Sequence, residues 1–523
     1  MGQQPFSISY NEITLKLGSE TLDKNKVQSV ILTNCINDHA VIQFTYEIAE
    51  DKKNDYIDAA DTETEIEVSV TKAKDVLKGA SAGKNILFKG LVTQIGVDHS
   101  SSWGGHYNLE VTGKSYTCQL DLGIEPTYTY QNKKMKVKEL IAAKLDQYNG
   151  LCDMTDDSVL GGVVVQHRES DWQFFKRLAS NYGLVLIANP IADMPRFDLF
   201  SCADNQYNQE QMKGLPKLHD LDPHYCIHNR ILDYLHADAK EVSGFYYETV
   251  SDKNHLWCEL GQCVALKLDS VDSEEKFQPL YIRRSTLEIK KSEITITYIL
   301  TPQIEQGWIS NPDLAGIAVG GTIMEVGGED AKNANEKSVK DRVKIKLDSD
   351  FPEVKAEDAT WFQVAALHTA EGNTGLYCMP EKDDYVQLYF PTENPGDAFV
   401  LTAVRQGKQN DSRLSDPNVK YFRTKFGKEI MFSDKEIVIT VYQYENNKAT
   451  DTKKVWIRLN QDDAIEIHSE NQIKVVAQND LYLNSTNGNI TLEAAKNIVM
   501  SCQKSSITMN GDVDIKGSQF KAN

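Results

Sequence analysis

The sequence predicts a mainly β chain. It reads as two β regions around a small α+β insertion, then a small barrel, then a C-terminal array of short strands that intertwines identical copies. Three observations carry this. Apolar and polar residues alternate up to about residue 125 and again from about 195 to 305, two helix patterns stand between those regions, and after residue 460 apolar pairs recur at a near-constant spacing. The chain has 523 residues, which at roughly 150 per domain points to three or four cores.

In the first region Ile66, Val68 and Val70 alternate with polar residues, as do Tyr107, Leu109 and Val111. The run from Ile86 to Ile95 reads as a strand broken by Gly90, a sign of a bulge or barrel corner. A helix is predicted over Met135–Tyr148, with Val137, Leu140, Ile141 and Leu145 on one face and Gly150 just past its end. A second opens at Ser170, where Gln173 completes a capping box. Trp172, Phe175, Leu178, Ala179 and Tyr182 form its core-facing stripe, and Gly183 closes it.

Strands return from about 195 to 305, ending in Ile294, Ile296 and Tyr298. Between 306 and 405 the strand candidates are Arg342–Leu347, Trp361–Leu367, Tyr385–Phe390 and Phe399–Val404. Turns rich in Gly, Pro and Asp separate them, as at Pro391, Pro395 and Gly396. Five or so short strands in that length fit a closed barrel of the oligonucleotide/oligosaccharide-binding (OB) type.

The C-terminal pairs are Ile465/Ile467, Ile473/Val475, Leu481/Leu483, Ile490/Leu492, Ile498/Met500, Ile507/Met509 and Val513/Ile515. Their first members are spaced 8, 8, 9, 8, 9 and 6 residues apart. Two inward residues per strand make no private core, and a row of such strands leaves edges that invite other chains. A three-fold prism of identical chains solves both problems, with these fourteen residues on the trimer axis and the polar turns at its corners. A single-chain β-helix would need longer coils.

Lys and Arg number 56 against 76 Asp and Glu, a formal charge of −20. That disfavours nucleic acid and anionic membranes as partners. Nine scattered cysteines form no C-x-x-C, so neither a zinc site nor a disulfide framework is expected. The N-terminus lacks the basic and apolar regions of a secretory signal, and no apolar run is long enough to span a membrane.

Several stretches, in order, resemble one family. Val163–Leu178 (VVVQHRESDWQFFKRL) is similar to a segment shared by the valine-glycine repeat proteins of type VI secretion and phage late-control and baseplate-hub proteins. LDLGIEPTYTYQNKKMKVKELI at 120–141 resembles that family's passage from first barrel to helix. RVKIKL, WFQVAAL, MPEKDDYVQLYF and PGDAFVLTAV resemble its small barrel, and KFGKEIMFSDK at 425–435 resembles the opening of its spike. The resemblance implies hub β-barrels at 1–125 and 195–305 around a helix-containing connector at 126–194. It further implies an OB-like barrel at 306–405, a lead-in to the shaft at 406–460, and a trimeric, triple-stranded β-helical spike at 461–523. It also implies a homotrimeric hub and puncturing spike of a contractile injection apparatus, assembled in the bacterial cytoplasm and exported with the tube. The implied partners are the inner-tube protein, baseplate components, a separate PAAR-like tip protein and effectors. No lysozyme-like domain follows Val404 and no fused effector follows the shaft, so a blunt needle is expected. The tail at 516–523 lacks the His-x-His pattern of iron-binding spikes.

No catalytic, cofactor or metal site is expected. His219, His224, Cys226, His228 and His236 fit no metal spacing and read as a loop. Asp348/Asp350, Asp383/Asp384 and Asp462/Asp463 read as solvated turn residues rather than a glycosidase pair. The Gly-rich 319–328 lacks the Gly-Lys-Ser/Thr of a phosphate loop, and no nucleophile-elbow or zincin motif occurs. Lys344 and Lys346 alternate without an interleaved aromatic, unlike a single-strand-binding groove. The rival reading is a receptor-binding or carbohydrate-cleaving tailspike.

Overall fold

The computed structural model describes all residues except 1–3, 53, 72–83, 104–105, 124–125, 155–157, 203–208, 219–221, 234–237, 251–254, 269–275, 305, 329–339, 371–373, 407–411, 510, 512–517 and 520–523. It forms two compact units, Met1–Gln406 and Gly407–Asn523. Strands dominate both.

In the first unit, strands from before residue 125 and after 195 join one hydrogen-bonded sheet of thirteen strands. The join is an antiparallel ladder between Val27–Cys35 and Lys276–Lys290, running from Arg284↔Cys35 to Lys290↔Ser29. Alternation does the work that the sequence predicts. In Val41–Ala49, Ile42, Phe44, Tyr46 and Ile48 are buried while their neighbours are less so. Both β regions feed one core, in which Leu32, Ile42, Phe88, Leu287, Ile296 and Tyr298 are fully or almost fully buried.

Gly90 lies two residues from a register shift at Val92/Gln94. Its own role is close approach, since a Cβ there would stand 2.1 Å from the Lys114 carbonyl oxygen. The His-containing stretch differs from expectation: Asp222–Asp233 is a strand, paired with Asp238–Val250 through a shift at Ile227/Arg230. Its polar composition looks like a loop, and ladder pairing overrides that. His219 and His236 lie outside the described residues.

The insertion folds as two helices and short strands around a second core. The first helix spans Val137–Leu145, and Asn149 rather than Gly150 takes the left-handed conformation after it (φ 51). The second spans Asp171–Ser180. Its N-cap Ser170 and Gln173 form both halves of the predicted capping box. Trp172, Phe174, Phe175 and Leu178 pack with Tyr130 and Phe197. Phe175 stacks on Phe197 with ring centroids 5.6 Å apart.

The closed barrel has five strands in the order Ala318–Val326, Arg342–Leu347, Trp361–Val364, Phe399–Ala403 and Tyr385–Tyr389. The Gly-rich 319–328 thus supplies its first strand. A Cβ on Gly321 would meet the Lys346 carbonyl oxygen at 2.6 Å, so glycine is needed there for the strands to close, whereas one on Gly320 would meet only side chains, the Tyr385 hydroxyl at 1.9 Å first. The connector is sewn to this barrel. Thr129 N–H donates to Ser349 O at 2.8 Å and Phe351 N–H to Thr129 O at 2.9 Å. Gln131 Nε2 donates to Ile345 O and to both Asp350 oxygens.

Candidate functional site

In the second unit, strands Lys420–Arg423, Lys428–Phe432, Glu436–Glu445, Lys448–Asn460 and Ile465–Ser469 form an antiparallel meander. The register places Phe422, Ile430, Ile439, Ile457 and Ile467 in one row across the sheet, and Phe432, Ile437, Leu459 and Ile465 in the next. Residues two apart share a face, so both rows and the Val441/Val455 pair lie on one apolar face. Much of this face is bare: Phe422, Phe432, Ile437, Ile439, Val455, Leu459, Ile465 and Ile467 are all exposed.

The other face carries the charges. Glu429, 5% exposed, accepts from Arg413 Nε at 3.0 Å, Arg423 Nη1 at 3.2 Å and the Tyr442 hydroxyl at 3.0 Å. Arg458 spans Glu436 at 2.6 Å and Asp463 at 3.2 Å, and Trp456 stacks on His468 at 3.8 Å. Burial by protein and the Glu429 carboxylate push the Tyr442 hydroxyl up to about 12. This is the reverse of a water-facing sheet, which shows its polar face and hides its apolar one.

The predicted axis residues continue from this sheet. Ile465 and Ile467 occupy its last strand. Ile473, Val475, Leu481, Leu483, Ile490 and Leu492 follow in a stretch with no strand assigned between Ser469 and Ile498. Ile498 and Met500 face Met509 and Ile507 across a hairpin whose turn includes Gln503 at φ 50. The predicted residues among these that are exposed range from 46% (Met500) to 71% (Ile465). Val513 and Ile515 lie outside the described residues. Sequence reasoning assigns no strands to 406–460, although the alternation of Ile437, Ile439 and Val441 against Val455, Ile457 and Leu459 is legible there.

In the first unit the structure assembles a hydroxyl–imidazole–carboxylate chain that no motif announces. Ser115 Oγ and Thr117 Oγ1 lie 2.8 Å apart, Thr117 Oγ1 is 2.8 Å from His39 Nδ1, and His39 Nε2 is 2.9 Å from Asp121 Oδ2. The Ser170 hydroxyl donates to the other Asp121 oxygen. Burial pushes the Asp121 carboxyl up, but the bonds from His39 and Ser170 outweigh it and hold it below the ordinary carboxylate range. The row resembles a catalytic triad only in connectivity. Ser115 and Thr117 are fully buried, so no substrate carbonyl reaches either oxygen. It staples the second helix's N-cap to the region of the thirteen-stranded sheet.

Gln166, Glu169 and Asp171 of the same segment are absorbed in the same way. Asp171 is buried and accepts from Lys144 Nζ at 2.9 Å, Gln166 Nε2 at 3.0 Å and the Tyr148 hydroxyl at 3.1 Å. Glu169 pairs with Arg177, whose Nη2 also donates to Val165 O at 2.6 Å.

The acidic pairs are each engaged locally. Asp348 accepts from the Tyr385 hydroxyl at 2.6 Å, and Asp350 lies in the connector seam, where burial raises its pKa despite bonds from Thr129, Gln131 and the Leu347 N–H. Asp384 accepts from the Glu381 N–H in a turn where Asp383 has φ 73. Asp462 and Asp463 pair with Lys435 and Arg458. Lys344 gains across the ladder the aromatic it lacks along the chain, its Nζ lying 4.7 Å from the Trp361 ring centroid. Among the described residues no group of three His, Cys, Asp or Glu is arranged to hold a metal ion. No described helix is long and apolar enough to cross a membrane.

Residues 332–404 match the type VI secretion system/phage-baseplate injector OB domain. No curated protein matches the chain in sequence. Among solved structures, a chain of the Francisella PdpA–VgrG complex in its half-lidded form aligns at TM-score 0.55 and 10% identity, covering 89% of this chain and 88% of that one. The lidless PdpA–VgrG complex gives TM-score 0.53 and 10% identity over 89% and 98%. An Escherichia coli type VI secretion component, described as structurally similar to the T4 bacteriophage tail proteins gp27 and gp5, gives 0.46 and 14% over 75% and 99%. At these identities the likeness is one of fold. Residues 332–404 thus match the injector OB domain family, and the chain that carries them is similar in fold to chains of the PdpA–VgrG complexes.

Proposed function

We propose that this chain is the structural hub and puncturing spike of a contractile injection apparatus, of the type VI secretion or phage-tail kind, acting as a homotrimer. The observation that carries the reading is an apolar repeat left exposed, beginning at Ile465, downstream of a segment at 332–404 that matches an injector OB domain. In the proposed assembly the fourteen predicted residues from Ile465 to Ile515 meet on the three-fold axis. Covering the six residues from Ile473 to Leu492 would contribute on the order of 1 kcal/mol each per copy. A closed prism also suits a part loaded in compression, because it deforms only by breaking many backbone hydrogen bonds together.

The role is mechanical rather than catalytic, a reading supported by the turn and seam positions of the carboxylate pairs. The complexes of similar fold pair two named proteins. By analogy, the partners proposed here are the inner tube, baseplate components and a separate tip protein with its effectors. Assembly would take place in the bacterial cytoplasm, with export on firing.

The test is the mass of the full-length chain in solution, beside Ile473→Asp and Leu483→Asp. Three copies for the parent and fewer for the variants is the expected result, because three carboxylates would meet in a dry core. A monomeric parent would sink the reading. Glycan binding or reducing-end release by the parent would favour the tailspike instead.

A further inference from the structure

We propose that the cleft between the helix-containing connector and the small barrel docks a segment of a partner protein in which acidic and apolar residues are mixed. Every residue involved lies in the first unit, so the site stands apart from the self-association proposed above.

The cleft encloses about 1020 Å³, with Lys133 and Val163 contributed by the connector and most of the remaining wall by the barrel. Charge selects the sign of the ligand. Lys133 and Arg342 both line the cleft, and among the described residues neither side chain has an ion pair or a hydrogen bond. Their neighbours are paired: Lys134 with Asp358 at 3.5 Å and Lys344 with Glu325 at 3.0 Å. The carboxylates that line the cleft are already engaged, Asp341 by the Tyr377 hydroxyl and Asp397 by the Thr392 hydroxyl at 2.7 Å. Burial and the Arg342 guanidinium push the Lys133 ammonium below its ordinary pKa, and a carboxylate set between the two cations would offset both effects. Residues 1–406 carry 40 Lys and Arg against 61 Asp and Glu, so a cleft with two unspent cations is a local exception on an acidic surface.

The rest of the wall favours a peptide over a free anion. Trp361 and Phe399 are half-buried beside the cations, and Leu376 and Tyr377 line the same cleft with their side chains exposed. Met379 adds a flexible thioether that can fit irregular apolar groups. Phosphate or a sugar acid has no aliphatic or aromatic side chain to set against these residues. A segment carrying Asp or Glu among Leu and Phe satisfies the cations and covers the apolar wall together. The volume is also larger than a small anion fills.

The test passes full-length protein over an array of short capped peptides in three sets: Asp and Glu mixed with Leu and Phe, Asn and Gln mixed with Leu and Phe, and Asp and Glu mixed with Gly and Ser. We expect the parent to be retained on the first set at least about tenfold better than on either other set. Lys133→Gln combined with Arg342→Gln should abolish that preference with the far-ultraviolet spectrum unchanged. Lys435→Gln, which removes a charge from the second unit, should keep it. If the double variant does not fold, the two single variants replace it, each expected to lower retention at least about threefold. A parent without preference for the first set overturns the proposal, as does a preference that survives the loss of both cations or disappears in Lys435→Gln. Equal retention on the first and third sets, displaced by inorganic phosphate, would make the cleft a free-anion site and also overturn it. A monomeric parent that still selects the first set would sink the spike reading and leave the cleft standing.

Discussion

Replacing Lys144 with Met should loosen the connector far more than a surface charge change would. Lys144 and Asp171 are both almost wholly buried, and the ammonium also lies 4.5 Å from the centroid of the Tyr128 ring. Removing one partner of a buried pair costs about 3–5 kcal/mol, because the other charge is left uncompensated. Asp171 keeps its hydrogen bonds from Gln166 and Tyr148, so the lower end applies, about 3 kcal/mol. Hydrogen exchange of the amides in Asp171–Ser180 reads this directly, as local opening on the order of a hundredfold more frequent. Lys144→Met with Asp171→Asn removes both charges and should cost at least about 1 kcal/mol less than the sum of the singles. Exchange within about twofold of the parent in Lys144→Met, or strict additivity in the double variant, would refute the reasoning.

Two further outcomes are expected of the same region. Ser170→Ala loses both the N-cap bond to the Gln173 N–H and the bond to Asp121, and should cost about 1–2 kcal/mol in local exchange of the second helix. Because the Asp121 carboxyl is held below its ordinary range, its contribution is present above pH about 4 and is lost as pH falls through its lowered folded value. An acid titration of unfolding of the first unit should therefore show a limb that Asp121→Asn flattens; an unchanged limb would assign the acid sensitivity elsewhere.

The sequence made local signals legible and left non-local ones hidden. Ser170 and Gln173 sit three residues apart, and their reciprocal capping was readable because both halves lie within one turn. The destinations of Gln166, Glu169 and Asp171 were not, since a carboxylate does not announce whether its partner is Lys144, Arg177 or water. The small barrel was readable from its strand runs, yet Gly320 and Gly321 gained meaning only once Tyr385 and Lys346 were seen against them. The C-terminal period showed which residues are apolar together, and in 420–460 the same alternation was present without a repeat to draw attention to it. The join between Val27–Cys35 and Lys276–Lys290 was beyond reach, because register between distant strands is set by tertiary fit rather than by either segment.

That join has a consequence for how the chain is made. Ser29 pairs with Lys290, so one side of Val27–Cys35 has no partner until the polypeptide has grown by roughly 260 residues. At about 5–20 residues per second on a ribosome, that leaves an apolar strand edge open for some tens of seconds. An unpaired edge is a template for the same edge on a neighbouring nascent chain. Yield should therefore be governed less by the finished molecule's stability than by how crowded its messenger is with ribosomes. Slower initiation or a chaperone that holds the early strands should raise soluble protein without altering a single contact in the folded state.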